Sequence, residues 1–512
     1  MNCLFIFTLL VPLLPFLAAC GIAVYVLNGA QGDDAEPPTA RLAEGAAWGA
    51  LLVLLGLGAL AWQEGLPGHF TVASWFASGT LNVPISFILD PLSLAFASLI
   101  ALVGVITLRF SRTYLHRELG FHRFFLLMSL FLSGMLLIVL SGNAVLTFVG
   151  WELCGVTSWL LIGYAYDRPV ATGNALYAFL SNRIGDAGFI LGISLAAWWL
   201  GTVEWAGIHA WAENAGQFDK VQARLLLFGF LLAAVIKSAQ WPFAAWISRA
   251  LEGPTPSSAI FYGALMVHAG VYLVIRLEPV LLHAPDTLVY LVVIGALTAL
   301  YGWLSGMVQT DVKSSLIFAT TTQVGLMFLA CGLGWFDLAA VHLLLHAAWR
   351  AYQFLLAPSY MHLVAQQAHK AYPPPAWLAR HQGLYTAALQ RFWIEQLARS
   401  TVIRPVQAIG HDMRDFDDNV LSHLVGMPEH QRAGAGRKGD DVIRAHGLAG
   451  RFLYWCAERF IQIEAYLVMR RGESIFTRAM THLGVYLRVF EALLERPRYL
   501  ILAVAATFIV IL

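Results

Sequence analysis

Charge is scarce in this chain: 12% of its 512 residues are Asp, Glu, Lys or Arg, and the formal balance is +1. That leaves no basic footprint for nucleic acid. Cysteine is scarce too, five in all. The cysteines form no Cys-x-x-Cys pair, and Cys3, Cys20, Cys154 and Cys331 fall in apolar stretches, which argues against a disulfide framework and against a zinc or iron–sulfur site. No Gly-rich phosphate loop follows a strand, and no quinone, flavin or nucleotide motif is visible. No cofactor is therefore expected, nor any catalytic chemistry in this chain alone. Apolar residues dominate instead, at 59% with a mean hydropathy of +0.67, more than a soluble core needs.

Runs long enough to cross a ~30 Å hydrocarbon layer lie near 3–27, 45–62, 91–108, 124–141, 143–165, 173–200, 222–247, 256–277, 287–305, 314–333 and 336–365, with a last one at 498–512. They predict an all-α polytopic membrane protein of about twelve transmembrane helices. The first run has no basic n-region and only a weak cleavage site near Ala18-Ala19-Cys20, so it reads as a retained helix. After the third run, Arg109, Arg112, Arg117 and Arg123 face Glu118 alone, which makes that loop cytoplasmic and the amino terminus periplasmic. Residues 28–44 should share the cytoplasmic face, although they hold Asp33, Asp34, Glu36 and Glu44 against Arg41. Acids weigh little in that rule.

Four regions follow: amino-terminal helices and loops at 1–84, a core at 85–365, a polar stretch at 366–497 and a closing helix at 498–512. In the polar stretch, Pro373, Pro374 and Pro375 stop any helix, and 433–441 reads as a flexible linker. Residues 384–397 and 452–469 have apolar positions at three- and four-residue spacing. Each could rest on its own bundle or dock a cytoplasmic partner subunit.

The polar residues inside the spans carry the functional signal. Lys237 closes the apolar run from Leu225, where a charge costs about 2.5 to 3.5 kcal/mol on insertion scales. Glu152 stands in an equally apolar run, and pairing the two would let both stay ionised. Such a pair is either a static tie between helices or a proton relay, in which a proton taken by the acid lets the base release its own. Arg183 and Asp186 lie three apart on one face of the sixth span, balancing each other or reaching a neighbouring subunit. Lys313 opens the tenth span, where it can snorkel. His342, His346 and Arg350 recur every fourth residue in the eleventh span. The histidines suit a proton wire, while Arg350 holds its proton and can act only electrostatically. His268 adds a candidate in the eighth span, and Pro242 breaks the seventh just past Lys237, as helices beside ion pathways are broken.

Five strings, Gly150-Trp151-Glu152-Leu153-Cys154-Gly155, Asn182-Arg183-Ile184-Gly185-Asp186, Lys237-Ser238-Ala239-Gln240-Trp241-Pro242, Glu252-Gly253-Pro254-Thr255-Pro256-Ser257-Ser258-Ala259 and Thr310-Asp311-Val312-Lys313, make residues 85–365 resemble the antiporter-like L subunit of respiratory complex I. That family includes the large subunit of Mrp sodium/proton antiporters and the membrane subunit of two-component inorganic-carbon accumulation complexes. The resemblance implies an inverted-repeat, proton-conducting core in a bacterial inner membrane. It puts Glu152 and Lys237 in a proton half-channel, and Lys313, His342 and His346 on a central polar axis.

Against the family pattern, 242–249 has lost a histidine and ends in Arg249 where aspartate is usual. Tyr262 replaces a histidine, Arg350 replaces a lysine, and the family's later helices give way to polar sequence at Gln366. A shortened conduit with a cytoplasmic platform suits an inorganic-carbon complex with a zinc-dependent, carbonic-anhydrase-like partner, an expectation resting on analogy. The alternative is a proton-pumping subunit of a complex I-like oxidoreductase or a cation/proton antiporter.

Overall fold

In the computed structural model the described residues are 2–416, except 31, 79–80, 215–218 and 367–374, together with Trp455 and Arg459. The closing helix at 498–512 and the linker at 433–441 lie outside them, as does the amphipathic stretch at 452–469 apart from Trp455 and Arg459. Every span expected up to residue 365 is helical: α1 (Asn2–Leu27), α2 (Glu36–Glu64), α3 (Pro91–Tyr114), α4 (Phe121–Leu140), α5 (Ala144–Ile162) and α6 (Pro169–Leu195) come first. After α7 (Trp205–Glu213), the broken seventh span is α8 (Lys220–Lys237) with α9 (Ala245–Arg249), and the eighth is α10 (Thr255–Ser258) with α11 (Met266–Arg276). Then α12 (Glu278–His283) leads to α13 (Asp286–Gly306), α14 (Val312–Gly332) and α15 (Phe336–Gln366). Eight helices among the described residues are long and apolar enough to cross a membrane. Their outward residues are apolar, such as Leu52, Leu102, Val289 and Leu326. The protein is an integral membrane protein.

Local chemistry sets the helix starts. Pro91 follows the N-cap Asp90, whose carboxylate accepts from the Ser93 amide at 2.8 Å while the Ser93 hydroxyl answers the Asp90 amide at 2.9 Å, a capping box. The side chains of Asn143, Asp219 and Asp311 cap α5, α8 and α14 by accepting from first-turn amides. Small residues set the closest approaches. Gly188 and Gly229 face each other across α6 and α8, and Gly134 meets Gly150 across α4 and α5, so a Cβ at any of the four would run into the opposite backbone.

One element goes beyond the expected helices. Strands β1 (Gly68–Ser78) and β2 (Leu81–Leu89) form an antiparallel hairpin with Gly68 opposite Leu89. It is tied to the bundle by Asn143 Nδ2, which donates to the Pro84 carbonyl at 2.8 Å, and by the His69–Glu204 pair. On the opposite face the acids of the first loop meet the basic loop. Arg117 reaches Asp33 at 2.8 Å, His116 reaches Glu36 at 2.7 Å, and Arg109 reaches Glu44 at 3.4 Å. The two loops therefore share a face despite their opposite composition. With the arginines largely exposed, these pairs add little stability.

The chain divides into two units, Met1–Ile403 and Arg404–Leu512. Within the first, α16 (Ala376–Arg380), α17 (Gln382–Leu389) and α18 (Ile394–Ala398) pack on the chain's own helices. Trp377 stacks on Trp303 with ring centroids 5.7 Å apart, and Leu378, Ala388 and Ile394 are buried. Of the two readings of 384–397, resting on its own bundle is the one observed. The described part of the second unit is α19 (Arg404–Phe416) with Trp455 and Arg459.

At the hairpin face, Arg276 ends α11 and pairs with Asp90 through both guanidinium nitrogens, the longer contact being 2.9 Å, while its Nε donates to the Tyr272 hydroxyl at 2.8 Å. Burial works against the Asp90 carboxylate, but Arg276 and Ser93 outweigh it and hold its pKa below the usual value. The resulting stability is present above the unfolded pKa near 3.8 and is lost as pH falls through the lower folded one. Asp90→Asn is expected to destabilise the protein at neutral pH by about 1.5 to 3 kcal/mol, the range for hydrogen bonds to charged groups. It should also flatten the loss of stability on acidification, read as melting temperature against pH in detergent.

Candidate functional site

Three buried ionisable side chains, Glu152, Asp186 and Lys237, converge with the half-buried Arg183 between α5, α6 and α8. Arg183 Nη1 donates to Glu152 Oε2 at 2.5 Å, and its Nη2 lies 2.8 Å from Asp186 Oδ2. Asp186 Oδ1 also accepts from Trp151 Nε1 at 2.9 Å. Lys237 is 1% exposed. Its ammonium donates to the Trp151 carbonyl at 3.4 Å and sits 4.9 Å from the centroid of the Trp151 ring.

The sequence leads one to expect Glu152 to pair directly with Lys237; in the structure the Glu152 carboxylate is met by Arg183 instead. The planar guanidinium fork, with five donors, serves both carboxylates at once. Asp186 is balanced within its own chain by Arg183. Gly155, one turn beyond Glu152, makes room for both cations: a Cβ there would come within 3.0 Å of Arg183 Nη2 and 3.6 Å of Lys237 Nζ.

Two acids and two bases balance in charge, and only one of the bases can release its proton. Arg183 keeps its own, so a proton arriving at either carboxylate leaves an excess that Lys237 alone can relieve. α8 ends at Lys237, and a helix carboxyl end favours the cation that must be held between transfers. Beyond it the chain turns through Ala239, at φ 50°, before Pro242. The freed backbone finds partners: the Ile236 carbonyl accepts from Trp246 Nε1 at 2.9 Å, and Trp241 N donates to Thr298 Oγ1 at 2.9 Å.

The eighth span is broken at the same depth. A π-turn at Ala259–Ala264 precedes α11, and Ser238 Oγ donates to the Val267 carbonyl at 2.6 Å. This bond joins the neighbour of Lys237 to the neighbour of His268. His268 Nε2 and His346 Nδ1 are 3.0 Å apart, and Arg350 Nε donates weakly to His346 Nε2 at 3.4 Å. An arginine can only donate, so His346 Nε2 is the acceptor in that contact. One turn away, His342 Nε2 is 2.9 Å from Gln323 Oε1. Lys313 stays at the first turn of α14, half-buried and ten residues before Gln323, so it is not gathered with the histidines. Among the described residues, no cluster of His, Cys, Asp or Glu could hold a metal ion.

Two family models match this chain: one described as NADH:quinone oxidoreductase/Mrp antiporter, TM, over residues 141–372, and one as NADH-Ubiquinone oxidoreductase (complex I), chain 5 N-terminus, over 75–125. NADH-quinone oxidoreductase subunit L of Mycobacterium tuberculosis is 37% identical over 370 residues, 69% of this chain and 56% of that one. The chain belongs to the antiporter-like family of complex I subunit L. NAD(P)H-quinone oxidoreductase chain 5 of Synechocystis is another similar protein, 33% identical over 71% of this chain and 54% of its own length. In the solved Mrp complex from Dietzia sp. DQ12-45-1b, one chain aligns with a TM-score of 0.59 at 28% identity, covering 69% of this chain and 38% of that one. The chain spans about half the length of the curated relatives it matches.

Three departures from the antiporter-like pattern have visible consequences. Tyr262 is fully buried and donates to the Ala250 carbonyl at 3.0 Å. Arg350 bonds to His346. Arg249 pairs with Glu395 of α18 and donates to Asn174 Oδ1 at 3.2 Å. Gln323, Asp90 and Arg276 are not among the site residues expected from the sequence. Thr320-Thr321-Thr322-Gln323 is a polar run inside an apolar helix, and Arg276 closes α11 eight residues after His268. Both were available signals.

Proposed function

We propose that this chain is a proton-conducting subunit of a multi-subunit membrane complex, of the kind to which complex I subunit L and the Mrp subunits belong. The observation that carries the reading is the charge-balanced buried cluster. Its one releasable base, Lys237, lies at a helix break whose next residue is hydrogen-bonded across to the neighbour of His268. In this reading 85–365 is the conducting core, protons pass between the cluster and the His268–His346 pair, and Arg350 biases the pair electrostatically. The face bearing the basic loop is cytoplasmic, by its arginines, and the membrane is a bacterial inner membrane.

The relatives named above are oxidoreductase and Mrp subunits, so a redox-driven pump or cation/proton antiporter is better supported than inorganic-carbon accumulation. The latter rests on the polar sequence that follows Gln366. The test is to purify the full chain from its source membrane in mild detergent and identify what accompanies it. Quinone- and flavin-binding or Mrp-type subunits are expected, whereas a zinc-dependent carbonic-anhydrase-like protein would restore the carbon reading. Proteoliposomes of the purified complex should carry protons, followed with a pH-sensitive dye. A complex without such flux would sink the proposal.

A further inference from the structure

Along α6, Asn174, Ala178, Asn182 and Asp186 are spaced four apart and so form one row about 18 Å long at 1.5 Å per residue. The inner end is Asp186 in the charge cluster. At the outer end, on the basic-loop face, Asn174 Oδ1 accepts from Arg249, and Arg249 pairs with Glu395. Between them lies a cavity of about 10 Å³, lined by Gly155, Ser158, Ala178, Asn182 and Trp246 among others, close to the room one water needs. Gly155 is the residue whose bare face touches Arg183 and Lys237, so the cavity abuts the cluster.

The polar atoms beside this row are under-satisfied. Asn182 is 5% and Tyr177 4% exposed. Asn182 Oδ1, the Tyr177 hydroxyl, Arg183 Nε and Arg249 Nε are buried with no hydrogen-bond partner among the described residues. Buried polar atoms of this kind are ordinarily met by ordered water. Of these residues, Asn182 also lines the cavity, and Arg249 meets the row at Asn174.

We infer that protons reach the charge cluster along this row of α6 from the basic-loop face, and that the Arg249–Glu395 pair closes its outer end. The inference rests on the conducting role proposed above and adds the route and its stopper. The stopper comes from 376–403, beyond the part of the chain that the family models match. Arg391 holds that segment down by donating to Ser248 Oγ at 3.0 Å, one residue from Arg249. Ile394, next to Glu395, is buried.

The test uses accessibility, which does not depend on proton flux. In the full-length chain in lipid nanodiscs carrying Ala178→Cys, modification of position 178 by a small water-soluble thiol reagent is followed by peptide mass. Modification should be slow. It should quicken about fivefold or more when Glu395→Gln or Arg249→Gln is added, the scale of a partly exposed ion pair. It should slow again in the charge-swapped Arg249→Glu/Glu395→Arg protein. Cys331, buried on α14, reports general loosening and should stay unmodified throughout. Unchanged labelling in both single variants, failure of the swap to restore protection, or concurrent labelling of Cys331 would each overturn the inference. If the labelling behaves as expected but the proteoliposomes carry no protons, the route stands and the conducting role falls.

Discussion

Replacing Lys237 by alanine is expected to bring proton flux to background while the complex still assembles. The cluster holds two carboxylates, a guanidinium that keeps its proton and one ammonium. Without the ammonium it can neither compensate an arriving proton nor pass one on. The side chain makes no direct ion pair with a described carboxylate, and its contacts are one carbonyl and the face of Trp151. Its loss therefore leaves the Arg183 ties to Glu152 and Asp186 standing, and folding should suffer less than transport. The readout is flux in proteoliposomes against the yield and composition of the purified complex. Lys237→Arg separates the roles, since it keeps the charge but not the releasable proton, and it too should be silent. Full flux in either variant would show that Lys237 is an inert structural cation.

Arg183→Leu is expected to damage the protein itself. Its guanidinium serves Glu152 and Asp186 together, and removing one partner of a buried ion pair leaves an uncompensated charge at a cost of about 3 to 5 kcal/mol. Thermal stability in detergent should fall clearly, and flux with it. If the loss comes from the stranded acids, adding Glu152→Gln should recover much of the stability without recovering flux, because the carboxylate is then absent. A stable, fully conducting Arg183→Leu protein would contradict the charge balance argued for the site. The two substitutions thus separate the mobile proton from the scaffold that holds it.

Much of this could be read along the chain. Apolar runs of spanning length, the scarcity of charge and the few ionisable residues inside the runs identified the helical membrane core. They also picked out Glu152, Arg183, Asp186, Lys237 and the histidine stripe, because a charge in hydrocarbon is too costly to be incidental. The helix break after Lys237 was visible in Pro242. The β-hairpin was missed. Its residues, near 68–89, alternate irregularly, with register shifts at Thr71/Ala73 and Ser74/Phe76, and so present no clean period of two.

Partnership was decided only by packing. Glu152 could have met Lys237, but α5, α6 and α8 approach through Gly155, Gly188 and Gly229 at a rotation that delivers Arg183 first. His268 and His346 are 78 residues apart, and nothing along the chain says that two breaks at one depth are bonded through Ser238 and Val267. Arg249 looked like a lost acid until Glu395 arrived beside it from a distant helix. Composition and spacing name the residues that must be buried and the cost of burying them. Which opposite charge or backbone group offsets that cost depends on the angle and depth at which helices cross, a long-range property that the order of residues does not display.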